Sequence, residues 1–218
     1  MKDSGIEWLG EIPEHWEKVK VSHYIYLRHG FQFRDYDFTD FGCKIIKISQ
    51  LLPSGKLDLE NCDTIDSNRI SNFEEIVIRN GDVLMALTGG TIGKVVKANG
   101  VKEIILQNYR VGNFFPKDIN LISKEFIFWI MKSELLFAQI NFAQRETGQP
   151  NIGKEDFRDM FFALPSPPEQ ETIANYLDEK TAKTDDSISK AESQIEFLKE
   201  YRTALISEAV TGKIDVRG

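Results

Sequence analysis

The glycine-rich segment GGTIGK, at Gly89–Lys94, has the residue types of a phosphate-binding loop. A nucleotide-binding P-loop requires a glycine, four residues, and then Gly-Lys followed by Ser or Thr, because that hydroxyl binds Mg²⁺. Here Thr88 stands at the first glycine position and Val95 follows the lysine, so no nucleotide site is predicted. The segment is a loop of small residues whose backbone could approach a phosphate closely, and a plain tight turn is an equally good interpretation.

The other residue types with catalytic or metal-binding chemistry form no recognisable constellation. The three histidines have no partner at metal-binding spacing, and neither Cys43 nor Cys62 pairs with another Cys or His. No G-x-S-x-G nucleophile motif occurs. The SPPE segment at Ser166–Glu169 is similar to the Asp-Pro-Pro-Tyr type of motif in adenine methyltransferases, but it lacks the amide-binding and the aromatic residue. The sequence thus predicts no catalytic site and no metal site, and favours a binding module.

Composition and charge are those of an ordinary globular chain. The 218 residues are 41% hydrophobic and 28% charged, with a net charge of −7. Residues 1–166 hold 20 Lys and Arg against 23 Asp and Glu, whereas residues 83–117 hold five basic residues and one acidic residue. A local basic patch can therefore form on an acidic protein. No run approaches 18 apolar residues and the start of the sequence has no apolar signal region, so we expect a cytoplasmic protein without a membrane span.

The pattern along the first three quarters of the chain predicts a mostly β domain with packed helices. Runs rich in Val, Ile and Leu, interrupted by the turn signals Asn80-Gly81 and Asn99-Gly100, predict strands within residues 44–52, 76–87, 94–106 and 108–116. A serine cap and apolar residues at helical spacing predict one helix over Ser123–Ile140.

A proline cluster at residues 165–168 predicts a domain boundary at residue 166 and the start of a long helix, because Pro168 suits a first helical turn. Neither Gly nor Pro occurs from there to Val210, so a helix of ~43 residues, ~64 Å long, is expected. Its apolar residues recur at heptad-like spacing in two rows: Ile188 and Ile195, and Leu177, Ala191, Leu198 and Leu205. We interpret the rows as a coiled-coil seam; a helix lying on its own domain is the alternative.

Four segments resemble the specificity (S) subunit of type I restriction-modification systems. They are GIEWLGEIPEHWE at residues 5–17, NGDVLMALTGGTIGKV at 80–95, TGQPNIGKEDFRDMFFALPSPPEQETIANYLDEKTAKTD at 147–185 and IEFLKEYRTALISEAVTGKIDV at 195–216. The resemblance implies an α+β fold, with a mostly β target recognition domain at residues 1–166 and a conserved spacer helix at 167–218 that forms an antiparallel coiled coil. Within it, Gln149–Asn151 would close the domain and MFFALP would be its buried last strand. S subunits carry two such domains and two such helices, so a half-length subunit is expected.

The resemblance also implies a function without catalysis. An S subunit reads double-stranded DNA and holds two methyltransferase (M) subunits, which carry S-adenosylmethionine, while restriction (R) subunits join for cleavage. This chain would therefore need no cofactor of its own. A homodimer through the helix would restore two recognition domains and predicts a bipartite, inverted-repeat target. One alternative is a scaffold protein that dimerises through its helix without reading DNA, and another is an enzyme with an unrecognised site.

Side chains that suit DNA contact occur in three segments of the first domain. Arginine fits the edge of guanine, and asparagine or glutamine fits adenine, whereas lysines and small-residue loops suit phosphates. For base edges the candidates are Arg28, Gln32, Arg34, Tyr36, Gln107, Asn108, Tyr109 and Arg110. For the phosphate backbone they are Thr88, Gly89, Gly90, Thr91, Lys94, Lys97 and, again, Arg110. For each of them, a surface polar residue without a DNA contact is the alternative.

Overall fold

The computed structural model describes residues 1–6, 9–147 and 151–216, in two compact units, Met1–Ala174 and Asn175–Gly218. The first turns of the long helix thus belong to the first unit, past the boundary that the prolines predict. Of the loop expected to close the domain, Gln149 and Pro150 lie outside the described residues.

The strands are short and precede most of the helical structure. In chain order they are β1 (Lys2–Asp3), β2 (Glu11–Ile12), β3 (Glu17–Lys20), β4 (Ile25–His29), β5 (Phe38–Thr39), β6 (Cys43–Ile46), β7 (Asp63–Ile65), β8 (Val77–Ile78), β9 (Val83–Ala86), β10 (Val95–Lys97), β11 (Ile105–Gln107), β12 (Val111–Pro116) and β13 (Phe161–Leu164). The helices are α1 (Val21–Tyr24), α2 (Lys124–Lys132), α3 (Glu134–Thr147), α4 (Lys154–Arg158) and α5 (Pro167–Val210).

Two sheets and two strand pairs organise the first unit. An antiparallel sheet has the order β10-β9-β12-β4, and a mixed sheet has the order β5-β7-β6-β11-β8, in which β11 runs parallel to β6. The strand pair β1 and β2 lies near the start of the chain, and β13 pairs with β3. The α+β architecture with a long last helix is confirmed.

Strand β9 is buried on both faces, which explains its unbroken apolar sequence. Val83 and Met85 pack with the helices α2 and α3, whereas Leu84 and Ala86 pack against residues of the mixed sheet, Ile46 and Ile105 among them. Alternate side chains of a strand point to opposite faces, so an all-apolar strand fits between two cores.

The segment predicted as one helix over Ser123–Ile140 is two helices that meet at Ser133. The backbone of Ser133 is extended, and its hydroxyl accepts a hydrogen bond from the Leu136 amide at 3.2 Å. A serine in this role ends one helix and caps the next, because it replaces a backbone partner. The cap predicted at Ser123 is confirmed: its hydroxyl accepts from the Phe126 amide.

The turns predicted at Asn80-Gly81 and Asn99-Gly100 are confirmed, since both glycines have positive φ angles of 81° and 70°. The strands on either side of Asn99-Gly100 do not pair with each other, however. Strand β10 joins the antiparallel sheet and β11 the mixed sheet. The predicted last strand is β13, whose Phe162 is buried.

Helix α5 runs without interruption over 44 residues, as the lack of Gly and Pro predicts. Its first turns are held by two side chains. Gln170 is fully buried; its amide oxygen accepts from the Ser123 amide, and its nitrogen donates to the carbonyls of Leu121 and Pro165. Glu169 accepts hydrogen bonds from the Ser166 amide and hydroxyl, so its carboxylate satisfies the amide of the residue that precedes the helix.

Glu169 also joins the helix to the start of the chain. Its other oxygen lies 2.7 Å from His15 Nε2 and accepts from the Trp16 indole at 3.2 Å. Hydrogen bonds from Ser166, and then from His15 and Trp16, lower the pKa of the Glu169 carboxyl to about 2.

In the part of the chain that is described, no single helix has the length and apolar composition to cross a membrane. Among the described residues, that length and composition are reached only by α2 and Glu134–Gln144 taken together, and these two helices meet at a bend of 59°.

Candidate nucleic-acid interface

An open groove of about 650 Å³ lies on the first unit and joins segments that are distant in sequence. Three short stretches line it: Gln32–Tyr36 with Phe38, Lys47–Ser49, and Asn108–Arg110. Six of the predicted base-edge residues therefore come together: Gln32, Arg34, Tyr36, Asn108, Tyr109 and Arg110. Lys47 and Ser49 were missed by sequence reasoning, because nothing in the strand-like run KIIKISQLL marks which of its polar residues reach a groove.

Backbone hydrogen bonds hold the first and third stretches side by side. The Phe31 amide donates to the Gln107 carbonyl, and the Tyr109 amide donates to the Phe31 carbonyl, each at 3.0 Å. Gly30 makes this approach possible, since a Cβ there would lie 2.0 Å from the Gln107 carbonyl oxygen. The glycine of the RHGFQF stretch is thus a steric requirement of the joint.

Residues 32–38 form a turn whose backbone is held by hydrogen bonds and whose side chains at 34 and 36 are exposed. Asp37 is buried and accepts hydrogen bonds from the Arg34 amide and the Arg69 guanidinium, each at 2.8 Å. These bonds, the backbone bond first, lower the pKa of Asp37 below its usual value. Tyr36, one residue before it, is 85% exposed, and the Arg34 side chain is exposed as well. Both therefore project from a turn whose backbone is held from beneath.

The opposite wall carries a polar turn, Asn108–Arg110. The Asn108 side chain is nearly buried and accepts a hydrogen bond from the Arg110 amide at 3.2 Å. The Tyr109 hydroxyl accepts from Arg110 Nε at 2.6 Å. Asn108 therefore shapes the turn, whereas Arg110 is exposed to solvent.

Lys47 lies on the groove with much of its charge balanced. It forms an ion pair with Asp63, and its ammonium group lies 4.2 Å from the centre of the Phe38 ring. A cation held in this way contributes less to phosphate attraction than a free lysine does.

Arg28 and Gln107 do not line the groove, although they were predicted to contact base edges. Gln107 is 0% exposed, and its amide group is fully used: it accepts from Arg28 Nε and donates to the carbonyls of Arg28 and Val111. The Arg28 guanidinium donates to the Val77 carbonyl, and burial lowers its pKa. Both side chains instead support strands β4 and β11 from inside, because buried polar groups require internal partners.

The glycine-rich loop Thr88–Gly93 does not line the groove. It begins one residue after Leu87, which is bonded to a residue of the groove. The Leu87 amide donates to the Arg110 carbonyl at 2.9 Å. Gly89 and Gly90 are exposed, and a Cβ at either would meet nothing within 4 Å. The amides of Ile92, Gly93 and Lys94 donate to carbonyls within the segment from Ala86 to Thr91, which favours the tight-turn interpretation for that part.

The predicted phosphate lysines differ in their surroundings. Lys97 is mostly covered and lies 3.7 Å from Glu125, so its charge is partly balanced. Lys94 is half-exposed and has no acidic partner among the residues described. Of the two, Lys94 is the better placed for an anion. Within the described ranges, no cluster of three His, Cys, Asp or Glu side chains suits a metal ion.

The second unit, taken by itself, is a helix with its apolar residues uncovered. Among the predicted seam residues, Ile188, Ile195, Leu198 and Leu205 are 50%, 52%, 61% and 42% exposed, Ala191 is exposed, and Leu177 is half-buried. Phe197, Tyr201 and Ile206 add exposed apolar surface outside the predicted rows. Within this unit, no residue from 175 to 216 is buried.

Comparison with known proteins identifies the family. The model described as the type I restriction modification DNA specificity domain matches residues 13–196. The specificity subunit of the type I restriction enzyme MjaVIII from Methanocaldococcus jannaschii is 27% identical over 212 residues, which are 96% of this chain and 48% of that protein. The EcoDI specificity subunit from Escherichia coli is 33% identical over 94 residues, or 43% of this chain and 21% of that protein.

Solved structures agree in fold. The HsdS subunit from Thermoanaerobacter tengcongensis superposes with a TM-score of 0.60 at 18% identity, covering 94% of this chain and 47% of that one. A chain from a structural study of type I R-M complex assembly gives a TM-score of 0.66 at 17% identity, covering 92% and 47%. This chain spans about half the length of the curated relatives it matches over most of its length. It belongs to the type I restriction-modification DNA specificity family.

Proposed function

We propose that this chain is a sequence-reading subunit of a type I restriction-modification complex and that the groove on its first unit contacts double-stranded DNA. The groove carries the proposal, because it gathers two stretches of base-reading side chains from 70 residues apart on a backbone frame held by hydrogen bonds. Arg34, Tyr36 and Arg110 are exposed there, and their types suit base edges and phosphates.

Partner subunits supply the chemistry in this proposal. Methyltransferase subunits bind S-adenosylmethionine and methylate adenine, and restriction subunits cleave, while this chain positions both on the target and is not itself catalytic. The Gly89-Gly90 turn and Lys94 follow Leu87, whose amide is bonded to the Arg110 carbonyl, and in this proposal they contact phosphates that flank the bases read in the groove. With a net charge of −7, the chain alone binds DNA weakly, so the methyltransferase subunits complete the DNA clamp.

A homodimer through the exposed seam is the second part of the proposal. Ile188, Ile195 and Leu198 lie at heptad-like spacing on a 44-residue helix and are each at least half exposed. A second copy would cover these apolar side chains and present two grooves. Two identical grooves related by a twofold axis read an inverted repeat, so the target would be bipartite and palindromic.

Selection from a randomised duplex library tests the proposal. The full chain is mixed with the methyltransferase subunit from the same genome and S-adenosylmethionine, and methylated adenines are located by sequencing. We expect one bipartite motif with inverted half-sites and an affinity that falls as salt rises.

Variants connect that motif to the groove. Combining Arg34→Ala with Tyr36→Ala is expected to reduce affinity for the selected site by about tenfold or more. Lys56→Ala is the matched control, since it removes an exposed positive charge that does not line the groove. A wild-type complex that methylates without sequence preference would overturn the proposal, and so would a motif and affinity unchanged in the double variant.

The scaffold alternative makes the opposite prediction. A protein that dimerises through its helix without reading DNA gives no salt-sensitive, sequence-dependent gel shift when the methyltransferase subunit is present. The same library therefore decides between the two functions.

A further inference from the structure

Of the arginines of the first unit whose side chains are described, Arg34 and Arg110 lie on the groove and are exposed, Arg79 is exposed away from it, and the other three are held by other groups. Arg28 is enclosed by internal hydrogen bonds, Arg69 is bonded to Asp37, and Arg158 is paired with Glu155. Arg110 lies on the groove, is exposed and has no acidic partner in the described part of the chain. Its full positive charge is therefore available to a ligand in the groove.

The side chain of Arg110 is held in one direction. Its Nε donates to the Tyr109 hydroxyl at 2.6 Å, and its guanidinium carbon lies 5.2 Å from the centre of the Tyr109 ring. With Nε occupied, the two terminal nitrogens remain as a pair of parallel donors, and neither has a hydrogen-bond partner among the described residues.

The backbone beneath Arg110 is held as well. Its amide donates to the Asn108 side chain, and its carbonyl accepts from the Leu87 amide. The Tyr109 amide donates to the Phe31 carbonyl. Because both the main chain and Nε are held before any ligand arrives, binding through the terminal nitrogens costs less conformational entropy than it does for a free arginine.

A pair of parallel donors fits two neighbouring acceptors. In the major groove of DNA, guanine presents O6 and N7 at that spacing, and a bidentate arginine contact to them is the commonest specific contact. A phosphate offers two oxygens with similar geometry. The surroundings favour the base, since Ser49 and Gln32 line the same groove with uncharged side chains of the kind that meet base edges, and the lysine that lines it, Lys47, is paired with Asp63.

We propose that Arg110 reads a guanine in each half-site and that Tyr109 is the residue that positions it. This inference rests on the proposed function and adds the base, the atoms and the positioning residue. It predicts that a guanine occurs at one fixed position of each half-site and that no other base is accepted there.

The test uses the full chain with its methyltransferase subunit on the randomised library. Arg110→Lys keeps the charge but removes the paired donors, and Arg79→Lys is the matched control at an exposed arginine that does not line the groove. We expect Arg110→Lys to lose about tenfold or more of its preference for guanine at one position, with the other positions unchanged. Tyr109→Phe should lower the same preference by a few-fold, because it removes only the hydroxyl that holds Nε.

Three other outcomes would count against the inference. If Arg110→Lys and Arg110→Ala keep the full wild-type motif, Arg110 reads no base. If Arg110→Ala weakens binding to all sequences alike and lowers the salt dependence by about one ion, Arg110 contacts a phosphate. If the wild-type complex selects no sequence at all, the proposed function fails and the inference fails with it. Circular dichroism of each variant separates all of these from misfolding.

Discussion

The two units of this chain differ in how far their apolar side chains are buried. From Met1 to Ala174, two sheets and the helices α2 to α4 bury many of their large apolar residues against one another. From Asn175 to Val216, no residue is buried, although Ile188, Leu198 and Leu205 recur on the helix. A helix gains most of its stability from packing of an apolar face. The first unit therefore covers a core of its own, whereas the exposed apolar residues of the second unit are the observation behind the proposed seam.

The largest expected effect concerns the dimer proposed for the second unit. The wild-type chain, of 25.0 kDa, should have twice that mass in solution by light scattering, and the triple variant Ile188→Asp, Ile195→Asp, Leu198→Asp should be monomeric. Three buried, unpaired carboxylates in a seam cost far more than the seam provides.

A matched control for that experiment adds the same charge on the same helix. Ser189, Ser193 and Thr203 are exposed and lie outside the seam rows, so their triple replacement by Asp should leave the dimer intact. A monomeric wild-type chain would contradict the seam and the palindromic target together.

The next largest effect concerns the core of the first unit. Phe114 is fully buried, with its ring centre 5.1 Å from that of Phe157. Phe114→Ala should lower the free energy of unfolding by about 3–5 kcal/mol, because apolar contacts are lost and a cavity remains. Urea denaturation followed by tryptophan fluorescence measures the change.

Phe41→Ala is the control for the core variant. Phe41 is 86% exposed in the same unit, so its loss should alter stability by about 0.5 kcal/mol or less. Equal effects of the two substitutions would show that the first unit lacks the core described.

A smaller effect is expected where the long helix joins the first unit. Gln170→Leu fills similar space but leaves the Ser123 amide and the Leu121 and Pro165 carbonyls without their partner. The free energy of unfolding should fall by about 2–3 kcal/mol. Gln194→Leu, at an exposed position of the same helix, should have little effect on the same unfolding curve; a comparable loss there would mean that Gln170 has no special role.

The smallest effect depends on pH. Hydrogen bonds to the ionised Glu169 carboxyl lower its pKa to about 2, from an ordinary value near 4.5. Its contribution to stability is therefore complete above pH 4.5 and is lost as the pH falls towards 2. The stability difference between wild type and Glu169→Gln should shrink over that range, with Glu171→Gln as the baseline. A difference that stays constant from pH 7 to pH 2.5 would rule out the ionised cap.

Local features of the fold were readable from the sequence, and long-range ones were not. The start and length of α5 followed from Pro168 and from the absence of Gly and Pro, which act locally. The sequence does not distinguish Ser133 from the other residues of the predicted helix, since a serine that caps the next helix has the same local pattern as one that faces solvent. Strands β10 and β11 join different sheets because their partner strands lie elsewhere in the chain. The turn signal at Asn99-Gly100 therefore could not predict which sheet each strand joins.

The same distinction applies to the site. Residue type pointed to two stretches that the structure brings together at one groove, and their role as DNA contacts stays a prediction. Type alone could not separate Gln107, which is buried between backbone carbonyls, from Gln32, which is exposed. Nor could it show that Arg69 holds Asp37 from 32 residues away. Burial and pairing are properties of the folded chain.

The joint between Phe31 and Gln107–Tyr109 is made by main-chain atoms, with Gly30 providing the clearance. Side chains at positions 32, 34, 36 and 110 contribute nothing to that joint. These four side chains can therefore be substituted while the backbone of the loops keeps its position. The groove thus combines a fixed backbone with variable side chains. Libraries randomised at these four positions should yield folded proteins at high frequency, and under the proposed function each could read a different DNA sequence without a new architecture.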